Sequence, residues 1–133
     1  MSSISEMEHE IHELEKKIEK YNSIIRILKD KRRETQNERG VIINDAYIPE
    51  KAYDMTSSSR WRGKREEDAK DHQDKIKEMT KKGIAATGQL LVDIDTAINN
   101  LLNKIEACKR RISYLRHKIK ELERQQQGNN SEQ

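Results

Sequence analysis

Apolar residues in the first part of the chain recur at alternating intervals of three and four residues. This spacing is the 3.5-residue period of a coiled-coil seam, in which one stripe of a helix packs against another helix. The run predicts a long first helix. Its members are Ile4, Met7, Ile11, Leu14, Ile18, Tyr21, Ile25 and Leu28.

A second run with the same spacing lies in the last third of the chain. It predicts a second long helix, which begins near Lys64 and ends near Gln126, so the fold class is all-α. The apolar positions of this run are Leu91, Ile94, Ile98, Leu101, Ile105, Cys108, Ile112, Leu115, Ile119 and Leu122.

Helix-interrupting residues separate the two runs, and Trp61-Arg62-Gly63 stands almost at the midpoint of the 133 residues. The chain is expected to reverse there and to form a long antiparallel helical hairpin. Pro49 lacks a backbone donor and disfavours helix at the residue before it. We therefore predict helix one over about 3–46, a connector over 47–63, helix two over 64–126, and one domain over 1–127. The polar tail, 128–133, is predicted to be disordered.

If Gly63 is the fold point, facing residues have numbers that add to 126, so Ile4 faces Leu122 and Ile18 faces Cys108. Registers shifted by one heptad match equally well and stay open. The isoleucines predicted to line the hairpin seam are Ile4, Ile11, Ile18, Ile25, Ile98, Ile105, Ile112 and Ile119.

The charge pattern favours the same hairpin. Residues 1–19 carry six Glu against two Lys, whereas residues 104–124 carry eight Lys or Arg against three Glu. Antiparallel helices would place these opposite blocks side by side. Each block also complements the dipole of its own helix, and that alternative explains the charges without a hairpin.

Composition excludes several classes of protein. Charged residues make up 38% of the chain and there is no Phe, so a wide globular core cannot be filled. The net charge of +3 does not indicate an obligate nucleic-acid binder. The start lacks the features of a signal peptide, and no stretch approaches the roughly 20 apolar residues of a membrane span. A soluble cytoplasmic protein is expected, and export with a partner, without a cleaved signal, stays open.

The apolar stripe widens in the middle of both runs, beyond what a two-helix seam can cover. A bundle of more than two helices is therefore expected, and self-association and a different protein partner satisfy this need equally. The residues predicted to bind the partner are Ile24, Ile27, Leu90, Ala97 and Leu102.

Candidate chemistry is sparse. His9 and His12 are one helical turn apart, but the heptad puts both on the outer face, where solvated side chains are the better interpretation. His72 and His117 have no nucleophile or paired acid at catalytic spacing. With Cys108 the only cysteine, neither an internal disulfide nor a cysteine-rich metal site is available. We predict no enzyme activity, no cofactor and no metal.

Basic residues flank Trp61, and together they give a weak indication of nucleic-acid binding through phosphate contacts and base stacking. Further basic spots lie at 29–33 and 109–111, but acidic residues flank the first and the predicted hairpin sets an acidic block against the second. Nucleic-acid binding is accordingly the third hypothesis.

A Trp-x-Gly turn between two long helices, here Trp61-Arg62-Gly63, resembles the WXG-type proteins of Gram-positive type VII secretion systems. The length and the Trp-Arg-Gly-Lys entry into a charged helix are more similar to the YwqH-like relatives, which resemble accessory partners of LXG-type toxins. The exact motif covers only three residues, and the export motif of classical members is missing, because Lys118 stands four residues after Tyr114.

The resemblance implies a targeting factor or chaperone that binds the helical N-terminal domain of a secreted effector and assists its export. A second small helical protein is a further partner that it allows. The alternative hypothesis is a homo-oligomeric coiled-coil scaffold.

Overall fold

The computed structural model describes residues 3–47 and 64–132, and every one of these residues except Ser3 is helical. Helix α1 spans Ile4–Val41, a π-helical segment follows over Ile42–Tyr47, and helix α2 spans Lys64–Glu132. The protein is an all-α helical hairpin, as the spacing of its apolar residues predicts. Trp61 and Gly63, the predicted turn motif, lie outside the described residues.

Helix α1 begins with a capping box. The Ser3 hydroxyl accepts a hydrogen bond from the backbone N–H of Glu6 at 3.1 Å, and the Glu6 carboxylate accepts one from the N–H of Ser3 at 3.3 Å. These two bonds satisfy backbone donors that have no partner inside the helix. The first turn is thereby fixed just before the apolar run begins at Ile4.

The end of the first helical segment differs from a simple helix stop. Regular α-helix ends at Val41, and the chain continues as a π-helix through Tyr47. A π-helix closes wider turns than an α-helix and is found mostly as short segments. Pro49 disfavours regular helix over the residues just before it, but the sequence does not indicate which irregular form replaces it.

Helix α2 is longer than the sequence predicts. It passes through Gly83 and Gly88 and runs to Glu132, whereas the sequence predicts that it ends near Gln126. Residues 123–129 are helical although their side chains are exposed, so packing is not what keeps this segment helical. Backbone hydrogen bonds propagate the helix, and Gln at 125–127 has a good helix propensity with no proline to interrupt it.

The chain divides into two compact units, where the sequence predicts one hairpin domain. We call the described residues 3–28 and 96–132 the terminal unit, and the described residues 29–47 and 64–95 the central unit. Each unit is formed by one stretch from each side of the hairpin.

In the terminal unit the two helices run antiparallel and pack along an apolar seam. Met7, Leu115 and Ile119 form a buried cluster, against which Ile4, Ile11, Leu14 and Leu122 pack. Further along, Lys104 lies over the ring of Tyr21, with its Nζ 6.0 Å from the ring centroid. Tyr21 follows Met7 in the chain whereas Lys104 precedes Leu115, so the two helices of the hairpin run in opposite directions. The remaining buried apolar residues of this unit are Ile25, Ile98, Ile105, Cys108 and Ile112.

The central unit is also antiparallel, but α1 contributes three polar residues, Arg32, Thr35 and Arg39, to its seam. Arg32 contacts Asp95, and the added Cβ of a residue at Gly83 would lie 3.6 Å from Cδ1 of Ile42. The buried residues of this unit among those described are Thr35 and Ile94. Because few apolar side chains are buried here, local opening costs less in this unit than in the terminal unit.

The predicted layer of Ile18 and Cys108 can be tested in the terminal unit. Ile18→Cys should form an intramolecular disulfide with Cys108 under dilute oxidising conditions, because residues in one layer bring their Cβ atoms within reach of a disulfide. Mass spectrometry and a non-reducing gel measure the product.

Ile11→Cys, one heptad away, is the matched control and should stay reduced. A crosslink formed preferentially by Ile11→Cys would show that the true register differs from the predicted one by a heptad. Exclusively intermolecular disulfides from Ile18→Cys would contradict the hairpin arrangement at this layer.

Candidate interaction surfaces

Two ion pairs join the helices of the terminal unit at the predicted acidic and basic blocks. Arg111 Nε donates to Glu10 Oε1 at 2.9 Å, and Arg116 Nη2 donates to Glu15 Oε1 at 3.0 Å. Their side chains are 41 to 63% exposed. Solvent-exposed pairs contribute little stability, so these contacts orient the two helices more than they hold them together.

The pair of Glu10 and Arg111 is bidentate, with a second bond from Arg111 Nη2 to Glu10 Oε2 at 3.4 Å. Hydrogen bonding to Arg111 lowers the pKa of Glu10, and the same bond raises the pKa of Arg111. The charge of the partner acts in the same direction in each case, while partial desolvation acts against it.

The structure distributes the five predicted partner-binding residues over both units. Ile27 is 60% exposed and Leu102 is 46% exposed, and both belong to the terminal unit, as do the half-buried Ile24 and Ala97. Leu90, 47% exposed, belongs to the central unit. The predicted seam isoleucines are all buried or half-buried, whereas three of the five predicted partner-binding residues, Ile27, Leu90 and Leu102, are exposed.

Heptad positions show that the predicted stripe is two surfaces in the terminal unit. Ile24 is two heptads after Glu10, and Ala97 is two heptads before Arg111, so they lie on the side of the seam marked by that ion pair. Leu102 is two heptads before Arg116 and lies on the side marked by the other pair. An apolar residue thus borders the seam on each side.

The central unit exposes further apolar side chains that the sequence interpretation did not assign to a surface. Ile76 is 49% exposed and Met79 is 71% exposed. Ile76 is two heptads before Leu90, so both occupy the same side of α2. Val41 and Val92 are also more than half exposed.

The three-and-four spacing continues along α1 beyond Leu28, but with polar residues at Arg32, Thr35 and Arg39. Arg32 Nε donates to Asp95 Oδ1 at 2.8 Å, and its Nη2 reaches Asp95 Oδ2 at 3.5 Å. Thr35 is 6% exposed, and its hydroxyl donates to the carbonyl of Lys31 at 2.8 Å. The side chains of Arg32 and Thr35 therefore form hydrogen bonds although these residues occupy seam positions.

Arg39 differs from Arg32 and Thr35. Its Nε is buried and has no hydrogen-bond partner within residues 3–47 and 64–132. A Cβ added at Gly88 would lie 3.8 Å from this nitrogen. Sequence interpretation missed both residues, although the unbroken spacing from Leu28 to Arg39 was a signal that an arginine enters the seam.

The histidines occupy exposed positions. His9 and His12 are exposed, as predicted for the outer face of the first helix. His72 is exposed as well, and His117 Nε2 lies 3.2 Å from Glu121 Oε1 on the same helix. Within the described part of the chain, no group of three or more His, Cys, Asp or Glu side chains could hold a metal ion.

A search of protein-family models, curated proteins and solved structures finds no match to this chain. None of the helices over the described ranges contains a segment long and apolar enough to cross a bilayer.

The ion pair of Glu10 and Arg111 predicts a pH-dependent contribution to stability. Because folding lowers the pKa of Glu10, the contribution is fully present above the ordinary glutamate pKa of about 4.3 and is lost as the pH falls through the folded-state pKa. Thermal unfolding of the wild type and Glu10→Gln should therefore differ at pH 7 and converge in acid.

Arg111→Gln provides the matched background. With that substitution present, adding Glu10→Gln should produce no further pH-dependent change, as a double-mutant cycle requires for a specific pair. A difference in Tm between the wild type and Glu10→Gln that persists unchanged to the acid limit would contradict this account.

Proposed function

We propose that this protein is a helical partner of a type VII secretion effector, acting as a targeting factor or chaperone that binds the effector's helical N-terminal domain and assists export. The observation that carries the proposal is the exposure of Ile27 and Leu102 beside the seam of a helical hairpin. The resemblance of Trp61-Arg62-Gly63 to the WXG-type turn supports the choice of partner.

Apolar side chains that are not fully buried lie on both sides of the two-helix seam, with Ile24 and Ala97 on one side and Leu102 on the other. This arrangement favours a larger bundle. Burying a Leu or Ile side chain fully contributes about 1.5 to 3 kcal/mol relative to leaving it in water. An amphipathic helix in a groove is a common mode of peptide and domain recognition, with apolar anchors at three- and four-residue spacing. A helical effector domain supplies such a stripe.

The direct test is co-purification followed by reconstitution. The tagged protein is produced in the bacterium that carries its gene, and stoichiometric partners in cells and medium are identified by mass spectrometry. The helical N-terminal domain of any effector found is then purified and its Kd measured. Failure of every such domain to bind the folded protein would rule the proposal out.

Leu102→Glu and Ile27→Glu should each weaken effector binding by about tenfold or more while most helicity remains, because a charge placed in a bundle interface must be desolvated. Asn103→Glu adds the same charge at an adjacent exposed position and is the control. Circular dichroism and calorimetry measure helicity and binding.

Ile112→Glu serves as the contrasting variant, since Ile112 is 6% exposed in the seam. It should lower both helicity and binding. The partner surface would be assigned wrongly if the wild type is a stable monomer and the Ile27→Glu and Leu102→Glu variants bind the effector as tightly as the wild type does.

A homo-oligomeric scaffold is the second candidate, because the same exposed apolar residues fit a second copy of the chain. Sedimentation equilibrium of the isolated protein separates the two. A concentration-independent monomer that acquires mass only with the effector domain supports the secretion partner, whereas a tight homodimer or tetramer that Leu102→Glu dissociates supports the scaffold.

Trp61→Ala tests the resemblance itself, because a hairpin needs a turn but does not need an indole. If Trp61 contacts the effector or the secretion machinery, the substitution should reduce binding or export and barely change circular dichroism. A variant that removes the charges of Arg60, Arg62, Lys64 and Arg65 is assayed beside it. Unchanged export with Trp61→Ala, together with loss of salt-sensitive nucleic-acid binding on charge removal, would favour nucleic-acid binding.

A further inference from the structure

Two arginines occupy equivalent places on α1 of the central unit, but among the described residues only Arg32 is paired with a carboxylate. Arg32 and Arg39 are seven residues apart and face α2 in the same way. Asp95 accepts both hydrogen bonds from Arg32, at 2.8 and 3.5 Å. On the antiparallel α2, the residue seven positions before Asp95 is Gly88. The position that supplies a carboxylate to Arg32 therefore supplies none to Arg39.

The geometry at Gly88 fits an acceptor that comes from outside the described chain. A Cβ at this residue would lie 3.8 Å from Arg39 Nε, which is ordinary van der Waals contact. The nitrogen is buried and lacks an acceptor among the described residues. A buried N–H of a charged group that makes no hydrogen bond is costly, so a carboxylate delivered here would be strongly stabilising.

The surroundings favour a protein helix as the source of that carboxylate. A Cβ added at Gly40, next to Arg39, would meet nothing within 4 Å. Because Gly40 and Gly88 have no side chain, the backbone of a partner helix can approach closely at both residues. Val92 lies one helical turn from Gly88 and is 56% exposed. An amphipathic helix would cover the apolar side chain of Val92 and present an acid to Arg39. A phosphate group would supply only the negative charge and no apolar surface.

We propose that Arg39 receives an Asp or Glu side chain from the partner helix, and that Gly88 leaves the space through which this side chain enters. The inference rests on the proposed function, since the helix is that of the bound effector domain. The acid of the partner takes the place relative to Arg39 that Asp95 takes relative to Arg32, with side-on hydrogen bonds to the guanidinium.

Gly88→Asp tests the proposal by supplying the carboxylate from within the chain. In the isolated protein it should raise the Tm by about 2 to 5 °C through pairing with Arg39. In the complex it should weaken binding of the purified effector domain by about tenfold, because the arginine is already paired. Gly88→Asn has nearly the same shape and a neutral acceptor oxygen, so it should produce both effects to a smaller extent. Arg39→Gln should weaken binding to a similar extent.

The outcomes separate this inference from the proposed function. A folded wild type that binds no effector domain overturns both. A wild type that binds, with Gly88→Asp binding equally well, overturns the inference alone. Equal weakening by Gly88→Asp and Gly88→Asn also overturns it, because lost space and not charge would then be the cause. A lower Tm for Gly88→Asp than for Gly88→Asn would show that Arg39 does not pair with a carboxylate at this position.

Discussion

Packing of isoleucine and leucine side chains between two antiparallel helices is the interaction on which the rest of this structure depends. With no Phe and with 38% charged residues, the chain has few other ways to remove apolar surface from water. Among the described residues nine apolar side chains are buried, and eight of them lie in the terminal unit. All eight belong to the two runs of apolar residues with three- and four-residue spacing. The ion pairs that flank this seam are half exposed, so they select the direction and register of the helices rather than supply most of the stability.

The central unit follows the same geometry with different chemistry. Arg32, Thr35 and Arg39 take the places that isoleucine and leucine hold elsewhere, and the hydroxyl of the buried Thr35 donates a hydrogen bond to the helix backbone. Each such layer contributes less burial than an aliphatic one. Polar seams also specify partners more sharply than aliphatic ones, because an unmatched polar group is penalised. In the function we propose, the residues of this unit are therefore suited to recognising a particular helix.

The two kinds of surface have complementary roles in the function we propose. Exposed aliphatic side chains such as Ile27 and Leu102 provide the area that drives association, and they are tolerant of which helix covers them. In the proposed complex, Arg39, whose buried Nε has no hydrogen-bond partner among the described residues, discriminates by charge. A partner that satisfies both has to carry an apolar stripe and a correctly placed acid, which is a stricter requirement than either surface imposes alone.

The sequence by itself determined the all-α class and the hairpin, because a 3.5-residue period leaves one apolar stripe per helix and a stripe must be buried against another. It also indicated which residues border the seam. Only the tertiary structure decided that the chain forms two units, that Leu102 and Ile24 lie on opposite sides of the seam, and that Gly88 stands where Arg39 would need a carboxylate. These facts depend on the register between the helices, and a seven-residue repeat is compatible with several registers until side chains such as Arg32 and Asp95 are paired.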